Sequence, residues 1–118
     1  MAYDEELAAR LRALLDELGE SPSEMRMFGG LAFMVAGNLC VAASSRGGLL
    51  ARTDPAAVTE LLALPHVEPM AMRGREMPGW LLVDAAGVDG DGELRAWVGR
   101  ALEYTRTLPA KERQRGRA

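Results

Sequence analysis

Leu7, Leu11, Leu14, Leu15 and Leu18 form one stripe of a 3.6-residue period and predict a helix from about Asp4 to Leu18. Asp4, Glu5 and Glu6 stand where the helix dipole favours negative charge, and Gly19 is a suitable stop. The period then changes from 3.6 to 2. Met25 and Met27 alternate with Glu24 and Arg26, the pattern of a half-buried strand. Gly29-Gly30 breaks it. Leu31 to Ala36 and Leu39 to Ala43 read as second and third strands, with Gly37-Asn38 as a two-residue hairpin signal between them. Ser45-Arg46-Gly47-Gly48 turns the chain into a short fourth strand from Leu49 to Arg52.

Asp54 and Pro55 open a second helix with Val58, Leu61 and Leu62 on its apolar face, and Pro65 ends it. Val67 to Met72 and Gly79 to Asp84 predict two more strands, joined by the polar turn Arg73-Gly74-Arg75-Glu76. Asp91 or a neighbour caps a long final helix reaching about Leu108. Its buried stripe is Leu94, Trp97, Val98, Ala101, Leu102 and Thr105, and Pro109 closes it. The order α-ββββ-α-ββ-α predicts an α+β domain with helices packed on one antiparallel sheet, spanning residues 1–110.

With 118 residues, 48% of them hydrophobic, the chain is long enough to bury one core without disulfides or metals. The net charge of −3 divides unevenly: residues 111–118 carry +3 and the remainder −6. A basic tail, expected to be disordered, thus follows an acidic domain, which excludes a protein whose whole surface grips nucleic acid. No charge occurs from Met27 to Ser45, a span of nineteen residues. Gly29-Gly30, Gly37-Asn38 and Ser44-Ser45 cut that span into strand lengths, so no membrane segment is expected. The acidic amino terminus has no secretory signal, and a free cysteine then points to the cytoplasm.

One His and one Cys leave little material for catalysis and exclude an internal disulfide or a clustered zinc site; no cofactor is expected. His66 and Cys40 make a base and nucleophile only if the fold brings them together; otherwise they are a loop histidine and a buried thiol. Asp89-Gly90-Asp91-Gly92-Glu93 resembles part of a calcium loop. With Gly92 as the sixth position, however, the first and twelfth are Gly87 and Val98, so it reads as a helix-capping loop. Neither glycine pair makes a phosphate loop.

Methionine is the more distinctive residue. Met27, Phe28, Phe33, Met34, Met72, Met77 and Trp80 form a candidate interaction surface, since methionine-rich surfaces adapt to partners; the competing reading is core filler. Lys111, Arg113, Arg115 and Arg117 are the nucleic-acid candidates, with a solubilising terminus as the alternative.

Two stretches carry a resemblance. Met27-Phe28-Gly29-Gly30-Leu31-Ala32-Phe33-Met34, followed by Gly37-Asn38, resembles the signature hairpin of the TfoX/Sxy amino-terminal domain. Met72-Arg73-Gly74-Arg75-Glu76-Met77-Pro78-Gly79-Trp80-Leu81-Leu82-Val83 is similar to that domain's later hairpin, and the similarity extends over about residues 1–110. The resemblance implies a small α+β domain with no established catalytic site. It implies regulators of natural competence that assist a transcription activator of the cyclic-AMP receptor type. Such regulators usually carry a second, helical domain that has no counterpart in this sequence. The expected function is a non-enzymatic regulatory or adaptor domain with a protein partner in the transcription machinery. The alternatives are a nucleic-acid accessory protein using the tail, or a small-ligand or enzymatic domain with a pocket near His66, Cys40 or Trp80.

Overall fold

Helix α1 (Glu5–Glu17) begins where the Asp4 carboxylate accepts the backbone N–H groups of Glu6 and Leu7, at 2.9 and 3.2 Å. It ends in a Schellman motif: Gly19 N–H donates to Asp16 and Glu20 N–H to Leu15, with Gly19 at φ +89°. The computed structural model describes residues 3–27, 29–72 and 74–110.

Six strands follow in one antiparallel sheet: β1 (Ser23–Met27), β2 (Gly30–Val35), β3 (Asn38–Ala43), β4 (Leu49–Arg52), β5 (Val67–Met72) and β6 (Arg75–Val83). Their spatial order is β1-β2-β3-β4-β6-β5. The first four form a meander, and the last hairpin inserts β6 beside β4, leaving β5 on the edge. A 3₁₀ turn at Pro55–Ala57 and the short helix α2 (Val58–Leu61) bridge β4 to β5. A second 3₁₀ turn, Ala85–Val88, leads to α3 (Asp91–Thr105). The α+β class and element order are therefore as the periodicity predicts.

Helices α1 and α3 bury one face of the sheet. Leu7, Leu11 and Leu15 of α1 and Leu94, Trp97, Val98, Ala101 and Leu102 of α3 pack with Phe33, Val41, Leu49, Leu81 and Val83. Val58, Leu61 and Leu62 pack onto this same core, so α2 also lies on the helix side. Among the described residues, no helix is long and apolar enough to cross a membrane.

Several local expectations shift. The β2–β3 turn is Ala36-Gly37, not Gly37-Asn38: both central residues have positive φ, 52° and 81°, the primed turn that matches strand twist. Asn38 instead begins β3, and its buried side-chain amide donates to the Pro109 carbonyl at 3.0 Å. β6 starts at Arg75, four residues before the Gly79 expected, because strand pairing continues from Met72↔Arg75 through the segment read as a polar turn. Gly79 bends that strand at φ +84°. A Cβ there would meet the Thr53 carbonyl at 2.5 Å. Its own carbonyl accepts both the Thr53 N–H and the Thr53 hydroxyl, at 2.7 and 3.0 Å.

Helix α3 is capped by Gly90, the neighbour of Asp91, with no side-chain capping bond, and ends at Thr105, short of Leu108. β1 is more exposed than an alternating strand suggests: four of its residues are exposed and only Met27 is half-buried.

Candidate interaction surface

The second face of the sheet is built from strand residues alone. Ala32, Leu39, Ala42, Leu50 and Met70 lie buried in it, and Met27, Met34, Met77, Trp80 and Leu82 pack around them half-buried. Alternation explains the membership. Cross-strand partners share a face, so Met25 stands beside Ala32 and Leu50 beside Leu82. The bend at Gly79 lets Met77 and Trp80, three apart in sequence, reach the same side.

Of the candidates from sequence, Met27, Met34, Met77 and Trp80 are brought together here. Phe33 is not: it is fully buried in the helix-side core, where Arg12 of α1 lies 5.8 Å from its ring centre. Met34 follows Phe33 in the strand and so faces the other way. Phe28, the Met72 side chain, Lys111, Arg113, Arg115 and Arg117 lie outside the described residues.

The face also draws in Ala42, Leu50, Leu82 and Arg46, which composition alone did not single out. With Met27 and Met70 they line a hollow of about 260 Å³. That is smaller than an ordinary small-molecule site. Arg46 approaches Glu68 at 4.0 Å. Arg52 lies over the Trp80 ring at 5.3 Å and fixes the cationic end of the surface. Cross-strand pairing of Arg52 with Trp80 could have been read from sequence only once β6 was known to neighbour β4. Among the described residues, Met25, 46% exposed, and Leu64 are the large apolar side chains that stand well out of the surface.

The chemistry-bearing residues do not converge. Cys40 is the extra residue of a β-bulge between the Phe33↔Val41 and Met34↔Leu39 pairs and is buried in the helix-side core. Burial raises its thiol pKa to about 11, and a hydrogen bond with the Thr105 side chain pulls weakly the other way. His66 is exposed, its Nδ1 lying 3.0 Å from Asp84 Oδ1. Asp84 also caps the following 3₁₀ turn by accepting the Gly87 N–H. His66 thus has a structural partner, while Cys40 sits in a different environment. The cleft of about 530 Å³ beside His66 is bounded by Leu64, Gly87, Glu93, Trp97 and Arg100 and does not include Cys40.

The calcium-like segment is occupied by structure of its own. Arg10 bonds the Asp89 carbonyl and the Asp91 carboxylate, at 3.1 and 3.2 Å, tying α1 to the start of α3. Among the described residues, no three His, Cys, Asp or Glu side chains gather as a metal site.

No curated protein and no solved structure is a significant match to the chain. A family model does match, and it spans residues 13–105, from the middle of α1 to the last residue of α3. This covers every strand of the sheet and both of its faces, and the chain belongs to the TfoX N-terminal domain family.

Proposed function

We propose that this chain is a non-enzymatic regulatory or adaptor domain of the cytoplasm that acts through protein contacts in transcription. The observation that carries the reading is the sheet face on which Met27, Met34, Met77 and Trp80 gather with no covering helix among the described residues. A two-layer α+β domain ordinarily packs helices on one face and leaves the other solvated and polar. Here that other face is apolar and rich in methionine, whose unbranched, polarisable side chain adjusts to differently shaped partners. Arg46, Arg52 and Glu68 at the margins supply charge that orients a partner without dominating its affinity. The TfoX N-terminal family is not a known enzyme family, which agrees with a role in contact-making.

The test is affinity capture by the wild-type chain and by a Met34→Glu/Met77→Glu variant, both half-exposed positions. Wild type should recover a component of the transcription machinery, and the variant should lose it while keeping its far-UV spectrum and cooperative melting. Recovery of no such component, or equal recovery by both chains, would count against the reading.

A further inference from the structure

The two edges of the sheet are finished differently. β5 carries Pro69, which has no N–H to offer a further strand, and its pairing with β6 is interrupted between Pro69 and Ala71, where β6 holds the extra residues. β1 has neither. Its five residues pair with β2 in unbroken register from Ser23↔Met34 to Met27↔Gly30, no strand among the described residues pairs with its outer edge, and Met25 stands 46% exposed on it.

The sequence of this edge, Ser23-Glu24-Met25-Arg26-Met27, is self-complementary when run antiparallel to itself. A two-fold axis normal to the sheet keeps the helices of both copies on the same side and makes directly opposed residues share a face. With the axis through Met25, Glu24 of one copy opposes Arg26 of the other, twice, on the helix side. On the methionine-rich side, Met25 meets Met25 and Met27 meets Ser23. Moving the axis by one residue, onto Glu24 or onto Arg26, brings like charges face to face instead. The charge pattern therefore selects one register.

The side chains are prepared for this arrangement. Glu24 is held by Arg12 through both carboxylate oxygens, at 2.6 and 2.9 Å, and this bonding keeps its pKa below the ordinary carboxylate range. Each oxygen retains a second lone pair for another guanidinium. Arg26 is exposed and has no ion-pair partner among the described residues. Helix α1 packs on β3. In the paired sheet the two α1 helices would stand five strand spacings apart, about 24 Å, against a helix diameter of about 10–12 Å. At that separation the two α1 helices do not collide.

We infer that β1 is a homodimerisation edge, joining two copies into one twelve-stranded antiparallel sheet with the Glu24–Arg26 pairs crossing the axis. The joined sheet also makes the two methionine-rich faces continuous.

Sedimentation equilibrium on the whole chain tests this. Wild type should rise from 12.7 kDa toward twice that mass as concentration increases over about 10–500 µM, the range suited to a small interface. Arg26→Glu and Glu24→Arg should each weaken association by at least about tenfold, because each sets like charges across the axis. An equimolar mixture of these two variants should recover the dimer, since all cross-axis pairs are then opposite. Adding Arg12→Ala to the Glu24→Arg chain relieves the new contact with Arg12, and melting curves establish that each variant folds. Under oxidation, Met25→Cys should yield a covalent dimer and Arg26→Cys should not. A wild type that stays monomeric throughout would overturn the inference. So would a dimer that both charge variants leave intact, since that dimer would use another surface.

Discussion

Cys40 shows how one backbone irregularity decides a side chain's chemistry. As the extra residue of a bulge it turns into the helix-side core beside Thr105, fully buried, instead of alternating toward the open face. The thiolate loses its hydration there, so ionisation is deferred to about pH 11 from an ordinary 9.0. A thiol reagent at neutral pH should therefore react with Cys40 only as fast as the protein opens, and at the free-thiol rate once it is denatured. The same shift makes stability depend on alkali. The unfolded thiol ionises near pH 9.0 and the folded one near 11, so the unfolded state gains as pH rises between them. Wild type should lose up to roughly 2–3 kcal/mol over that window relative to Cys40→Ala. Urea titrations of both chains from pH 8 to 11 measure it, and parallel losses would refute the burial argument.

At the scale of elements, the β2–β3 hairpin turns on two residues of positive φ, Ala36 at 52° and Gly37 at 81°. An alanine in the left-handed region crowds its Cβ against the following carbonyl, a cost of roughly 1–2 kcal/mol that glycine and asparagine largely escape. Ala36→Asn should therefore stabilise the protein by about 0.5–1 kcal/mol, raising the melting temperature by roughly 2–5 °C. An unchanged or lowered melting temperature in calorimetry would show that the turn relaxes without strain. This turn also shows what sequence makes visible and what it does not. A hairpin was legible from Gly37-Asn38 between two apolar runs, but its register was not. Asn38 is instead taken up by a bond to Pro109, a contact between residues 71 positions apart that no local pattern announces. β6 was shortened by the same kind of blindness: Arg75, Glu76 and Pro78 look like turn residues until pairing with β5 holds them in a strand. The helices were clearer, because α1 and α3 each carry their own period and bury the residues that period selects. For the candidate surface, methionine content pointed to Met27 and Met34, and the structure sets both on one face. Phe33 was misassigned because adjacent strand residues point to opposite faces.

At the scale of the whole molecule, the sheet separates two tasks. Its helix side holds Leu11, Leu15, Phe33, Val41 and Val98 at 0% exposure, closed by side chains from α1 and α3. Among the described residues its other side is closed by neighbouring strands alone, and Met34 and Met77 remain half-buried. Removing side-chain volume should register differently on the two. Leu11→Ala leaves a cavity between a helix and a sheet that cannot collapse together, and should cost about 2–5 kcal/mol. Met34→Ala and Met77→Ala expose a vacancy that water can fill, and each should cost less than about 1 kcal/mol. Against the 5–15 kcal/mol typical of a small domain, the first change threatens folding and the others leave it intact. Urea unfolding of the three variants decides between a stabilising layer and a binding layer. If the methionine truncations cost as much as Leu11→Ala, the open face is a second core and its residues serve the fold. If they are nearly silent in stability, what selects methionine at these positions lies outside the folded chain, in what the face touches.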